Sequence, residues 1–325
     1  MLTNFPNGIT SYGMPVVGGG VPFSFGKYYF VDYALGSDGN AGLSPNEAFK
    51  TLTAAYNACT SNMDDTIIIR GYSTVVDAPI AWTKNRIHVY GSDGTPGRLV
   101  QQGAKISSTT AGALSYVIKD TGTRNSFVNL KFIQNSAVAT ALTVLELGGE
   151  GTYLANCSAV FGVADNLSGT TAHEIVAGTD SASMINCTFG SDVLLTSGAR
   201  TVFLIDQVTS GQEFKSNYIS GCKFIISSSE TTAELISMAA NTDVLFTNLF
   251  EDCTFMASID TAGGVALARA VSTANGLTKG TLYFTNPRPF GITNFGVNGT
   301  NNDGLYVIGA LVVATDLVGV QPVAT

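Results

Sequence analysis

Short apolar runs and polar turn residues alternate along this chain, and the pattern comes back at a fixed distance. Between Asn125 and Met256 one strand-like phrase appears five times: Val128-Asn129-Leu130-Lys131-Phe132, Leu154-Ala155-Asn156-Cys157-Ser158, Met184-Ile185-Asn186-Cys187-Thr188, Ile219-Ser220-Gly221-Cys222-Lys223 and Phe250-Glu251-Asp252-Cys253-Thr254. Cys157, Cys187, Cys222 and Cys253 are 30, 35 and 31 residues apart, and Leu130 holds the same slot 27 residues before Cys157. A second apolar run precedes each phrase, as in Thr143-Val144-Leu145 and Val202-Phe203-Leu204-Ile205. Gly, Ser, Thr, Asn and Asp fill the gaps. A repeat of this length with short alternating runs and no helical period predicts a β-solenoid. One coil cannot bury its apolar face alone, but stacked coils can, at a spacing of about 4.8 Å. The repeated Cys then forms an inward ladder of small side chains.

One helix is predicted, over 45–60. Ser44 reads as its N-cap, Pro45 as its first residue and Glu47 as the partner in a capping box. Ala48, Leu52, Ala55, Tyr56 and Cys59 fall on one face. Trp82 reads as a core aromatic. The solenoid is expected over 27–285. Residues 1–26 carry Phe5, Pro6, Ile9, Tyr12, Met14, Val16, Phe23 and Phe25 among glycines and prolines. They are too apolar for a solvated tail and too broken for a core of their own. The eight residues named are the candidate partner-binding residues of an extended arm, which lies against another protein or folds back on its own solenoid. Residues 286–325 are expected to leave the solenoid and either pack on a neighbouring subunit or cap the last coil.

The chain has 325 residues, 12% of them charged, and a net charge of −8. That balance argues against binding nucleic acid through phosphates. Apolar runs are too short to span a bilayer, so no membrane association is expected, and no export signal is evident. Five cysteines without His neighbours do not make a metal site, and buried free thiols are preferred to disulfides. Asp38 and Asn40 lack the spacing of a calcium loop and read as a turn.

Cleavage of a polysaccharide on a solenoid wall uses carboxylates, or a calcium with a basic residue, and a hydrolase needs two acids in matching slots one or two coils apart. Glu146, Glu174, Asp206 and Glu234 each stand near the first run of a coil, but at different offsets. His88 and His173 lie beside no residue that reads as a nucleophile. No catalytic residue is therefore assigned, no cofactor or metal is expected, and the chain is read as non-enzymatic.

Tyr29-Phe30-Val31-Asp32, Gly36-Ser37-Asp38-Gly39-Asn40, Ser44-Pro45, Phe49-Lys50-Thr51-Leu52 and Asp65-Thr66-Ile67-Ile68 together resemble the entrance of the pectate-lyase-like right-handed parallel β-helix family. The resemblance covers about 27–270, implies that fold with a helix plugging one end, and is nearly silent on activity. Thr3-Asn4-Phe5-Pro6-Asn7-Gly8-Ile9-Thr10-Ser11-Tyr12-Gly13-Met14-Pro15-Val16 resembles the N-terminal phrase of tailed-phage virion proteins. What this implies is a capsid decoration or cement protein, a homotrimer lying on the major capsid protein of the virion. The alternative is a tailspike- or fibre-like receptor-binding protein that recognises, and on some readings cleaves, host surface polysaccharide.

Overall fold

In the computed structural model each coil has three strands, not two, and the corner between two of them is a single residue. The structure describes most of residues 25–308, apart from the stretches 72–73, 77–78, 93–102, 109–114, 164–170, 240–243, 260–262, 273–279 and 297–304, together with short strands at 10–11, 14–15 and 321–322. One coil runs through Ser126–Val128, Lys131–Gln134 and Thr143–Leu147, and the next begins at Tyr153–Ala155. Like strands of successive coils pair in parallel and build three long sheets, a parallel β-helix. Sheet I holds Ser126–Val128, sheet II Lys131–Gln134 and sheet III Thr143–Leu147.

The repeated phrase is therefore the end of a sheet I strand, a corner and the start of a sheet II strand. The corner residue is left-handed: φ is 56° at Asn129, 52° at Asn156 and Asn186, 63° at Gly221, 51° at Asp252 and 49° at Asn286. Asn, Asp and Gly are the residues that enter this region at least cost. The next residue drops into the core. Leu130, Cys157, Cys187, Cys222 and Cys253 are buried there, and all the cysteines are free thiols. The thiol of Cys157 donates to the Phe127 carbonyl at 3.2 Å and that of Cys222 to Met184 at 3.3 Å, each one rung back. A thiol is small enough for the corner and has its weak donor satisfied there.

Aromatic residues fill the tube. Phe224 stacks on Phe255 at 5.1 Å and Phe250 on Phe284 at 4.7 Å, each pair from adjacent rungs. Trp82 is fully buried between Tyr56 and Phe127.

The helix at the entrance is shorter than the sequence suggests. Pro45–Glu47 is a single 3-10 turn, Ser44 makes no side-chain cap, and the α-helix is Leu52–Ala58, capped by Thr51. Phe49 breaks it, because its backbone is used by the first strand: Phe49 donates to Phe30 and accepts from Asp32. Asp38 then accepts from the amides of Lys50 and Thr51, so the supposed calcium loop is a brace for the helix start. The predicted apolar face, Ala48 to Cys59, is buried as expected.

At the other end the coils continue past 285. Arg288–Phe290 extends sheet II, and Leu305–Ile308 extends sheet I with Leu305 opposite Leu282. The boundary at 285 thus moves to about 308. Most of the predicted arm lies outside the described residues, including Phe5, Pro6, Ile9, Tyr12, Val16 and Phe23. Within it Thr10–Ser11 and Met14–Pro15 pair antiparallel, and Phe25 is exposed.

A polar ladder runs inside the corner between sheets III and I. Asp120 is fully buried and accepts from Thr152 Oγ1 at 2.7 Å, Asn125 Nδ2 at 2.8 Å and the Gly122 amide at 3.2 Å. Burial pushes its carboxyl up to about 7 against these three bonds. A raised folded-state value means the protonated form fits the fold better. The contribution of Asp120 to stability is complete below the unfolded value of about 3.9 and is lost as pH rises through 7. Asp120→Asn, whose Oδ1 keeps the bonds from Asn125 and Gly122 while its Nδ2 donates to Thr152 Oγ1 in a reversed third bond, is expected to remove much of the fall in Tm between pH 5 and 8, a change of about 5 °C. Thermal melts across that range check this; an unchanged pH profile would contradict it.

Candidate functional site on the outer wall of sheet III

Sheet III presents one outward slot per rung. Lys119, Glu146, Val176, Leu204 and Ser237 occupy it on five successive coils. Their neighbours in the strand, such as Leu145, Ile175, Phe203 and Ile236, point into the core and are buried. Lys119 and Glu146 face each other across one rung at 3.0 Å, both partly accessible. The Lys119 ammonium also lies 5.9 Å from the centre of the Tyr116 ring.

A wall stands beside this floor. After the strand Thr201–Ile205 the chain does not turn at once into sheet I. Residues 206–213 fold back along the axis, where the Val208 carbonyl accepts from Lys119 Nζ at 3.1 Å, three rungs away. Gln212 Nε2 donates to the Gly148 carbonyl. Gly148 is required by this approach: a Cβ there would sit 2.9 Å from Val208 Cβ and closer still to the Gln212 side chain. The floor and this segment run together along the axis, with Lys119, Glu146, Ser237 and Gln212 supplying charged, hydroxyl and amide groups, and the strip between them is the candidate groove.

The four acids singled out in the sequence do not converge in this groove. Glu146 lies on the floor. Glu174 is buried and bound by Arg200 in a two-pronged pair at 2.7 and 2.9 Å. Glu234 accepts from Arg269 Nε at 2.7 Å, and Asp206 accepts from the Gln207 amide at 2.7 Å. Burial pushes the Glu174 carboxyl up, and Arg200 opposes that shift. Glu174 stands one residue ahead of Ile175, as Val144 stands ahead of Leu145, Val202 ahead of Phe203 and Leu235 ahead of Ile236, all buried. It is a charged rung in an apolar ladder.

The two histidines are held by structure. His88 shares a hydrogen bond with Ser126 Oγ at 2.7 Å, and His173 Nδ1 lies 2.8 Å from the Thr201 carbonyl. Burial lowers the pKa of both. Among the described residues no group of three His, Cys, Asp or Glu is placed to hold a metal.

Sequence reading missed Lys119, Arg200 and the wall. The signal for Lys119 was present, since it precedes Glu146 by 27 residues, the same step that separates Leu130 from Cys157. Arg200 follows Glu174 by 26 residues, one coil. The fold-back of 206–213 left no periodic trace.

No protein-family model and no curated protein matches this chain. Solved structures do. The pectin methylesterase PemA from Erwinia chrysanthemi superposes with a TM-score of 0.52 at 13% identity, over 84% of this chain and 82% of its own. The shared feature is the parallel β-helix. The pectate lyase Pel9A follows with a TM-score of 0.47 at 15% identity, over 88% of this chain and 69% of its own. A rhamnogalacturonan lyase covers 87% of this chain and 66% of its own, at 14% identity and a TM-score of 0.32. The reading of the chain as non-enzymatic is corrected by these comparisons: the solved proteins it is similar to are enzymes. The absence of a repeated acid pair in the sequence was too weak a reason to exclude chemistry, because groups on one wall can come from unequal offsets and from loops.

The buried pair gives a test of the wall itself. Removing one partner of a buried ion pair costs about 3–5 kcal/mol, while an apolar pair of similar volume is often neutral. Glu174→Val alone is expected to lower stability by that order, and Glu174→Val with Arg200→Met to recover most of it. Denaturant melts of the two variants decide this; equal losses in both would refute the pairing as the cause.

Proposed function

We propose that this protein binds a polysaccharide, and that the sugar chain lies along the groove on the outer wall of sheet III. The observation that carries this reading is the fold-back of 206–213, which runs along the axis beside the Lys119–Glu146 pair and so gives the flat wall a side. A channel along the axis suits an extended chain of repeating units, since each rung offers the next unit an equivalent position. Lys119 supplies donors and Glu146 an acceptor for hydroxyl groups, and Tyr116 supplies a ring. A parallel β-helix that acts on pectin, as the name of PemA states, gives the reading a precedent on this fold. Glu146 is the acid that reaches the floor, so of the four it is the one a bound chain would meet.

The resemblance of the phrase Thr3–Val16 implies a virion setting, and of the two virion roles it is the spike- or fibre-like receptor-binding protein that a polysaccharide ligand fits. The capsid-docking residues of the arm contribute no support, because nearly all of them lie outside the described residues.

Affinity electrophoresis against a panel of soluble acidic and neutral polysaccharides tests the proposal. At least one is expected to retard the protein. Lys119→Ala and Glu146→Ala should each weaken that binding by about tenfold, the order expected for losing a hydrogen bond to a charged group. Gly148→Val should do the same by displacing the wall, with an unchanged circular dichroism spectrum. Full retention of binding in all three variants would place the ligand elsewhere or remove it.

A further inference from the structure

Sheet I has an outer face that the groove does not use. Ser126, Tyr153, Ser183, Tyr218, Leu249 and Tyr283 occupy one outward slot on six successive rungs. Their chain neighbours Phe127, Leu154, Met184, Ile219, Phe250 and Phe284 point inward and are buried. Tyr153, Tyr218 and Tyr283 thus stand two rungs apart, with Ser183 in the first interval and Leu249 in the second, and Tyr306 stacks on Tyr283 one rung further on. Two rungs measure about 10 Å.

Tyr153 and Tyr218 are each 36% exposed, which is high for large rings within a sheet. Tyr218 is fixed in place: its hydroxyl donates to the carboxylate of Glu251, one rung ahead and one slot over. The ring therefore leans along the sheet rather than standing up from it. The neighbouring outward slot carries Val128, Ala155, Ile185 and Ser220, small or apolar groups that leave part of each ring uncovered. Lys and Arg are absent from both slots over these six rungs. Glu251 is their one carboxylate, and Tyr218 occupies it.

We infer that this face is a second binding surface, for an uncharged, extended β-linked polysaccharide lying along the solenoid axis. Two observations point to this occupant. Aromatic rings two rungs apart match the reach of a disaccharide in such a chain, so alternate sugar units stack on Tyr153 and Tyr218. Between them Ser183 offers a hydroxyl to the intervening unit. The face is also nearly uncharged on a protein of net charge −8, so an uncharged ligand meets no repulsion there. A protein partner would want a contiguous apolar centre with larger pockets than serine-spaced rings provide. The inference takes its ligand class from the polysaccharide reading, but its residues lie on a different sheet, so the two stand or fall separately.

The test uses the full chain and β-1,4-linked gluco-, xylo-, manno- and N-acetylglucosamine oligosaccharides of two to six units. Isothermal titration calorimetry is expected to show binding to at least one series, stepping up in affinity once the oligomer is long enough to cover both rings. Tyr153→Ala and Tyr218→Ala should each weaken it by about tenfold, the scale of one aromatic contact. Tyr153→Phe should retain it, since the ring and not the hydroxyl makes the platform. Lys119→Ala and Glu146→Ala should leave it unchanged, whatever they do in the groove. Because both tyrosines are exposed, unchanged Tm values in the alanine variants confirm that folding is not at issue. Absence of binding to every series overturns the inference. So does loss of binding in Lys119→Ala but not in Tyr153→Ala, or a concentration-dependent dimer that Tyr153→Ala abolishes, which would make this face a contact between copies.

Discussion

The structure depends on one backbone event repeated on six coils, from Asn129 to Asn286: a single residue in left-handed conformation that turns the chain from sheet I to sheet II. Most side chains resist that conformation by roughly 1–2 kcal/mol. Asn129, Asn156, Asn186, Asp252 and Asn286 accept it, and Gly221 does so freely. Stacking adds to this, since Asn156 Nδ2 donates to Asn129 Oδ1 at 3.2 Å and Asn286 Nδ2 to Asp252 Oδ1 at 3.3 Å. The corner sets the register of everything that follows. A slip of one residue would turn each inward side chain outward. With the register held, the thiols, the phenylalanines and the outward slots all fall into line along the axis.

That alignment explains how a chain with so few charges uses them. A solenoid places like slots about 4.8 Å apart, so unlike charges one coil apart meet without help from any other element. Lys119 and Glu146 meet this way on the outside, Glu174 and Arg200 on the inside. The interior pair replaces an apolar rung and carries the desolvation cost of two ions. Asp120 answers the same problem differently. It has no cation among its hydrogen-bond partners, and its environment favours the neutral acid.

Function on such a scaffold comes from departures from the repeat. The proposed groove rests on 206–213, which runs back along the axis instead of turning at once, with Gly148 leaving room for it. The tyrosine face comes from regularity, since Tyr153, Tyr218 and Tyr283 share one slot at every second rung. The likeness to PemA fixes the architecture at low identity, so the residues of each wall have to be argued from this chain itself.

The sequence alone determined the solenoid, its inward cysteine ladder and the apolar face of the entrance helix. Each of these is a local rule applied periodically, and a period survives in one dimension. It also contained the corner residues, which stood before each of the four ladder cysteines as Asn, Gly or Asp, and the 27-residue step from Lys119 to Glu146. What only the tertiary structure decided was the third strand of each coil, the shortened helix, the continuation past 285 and the wall over sheet III. The helix breaks because a distant strand claims the Phe49 backbone, and the wall forms because Val208 reaches Lys119 three rungs away. Contacts of that kind join positions that hold different slots of the repeat. They become neighbours only when the coils have stacked.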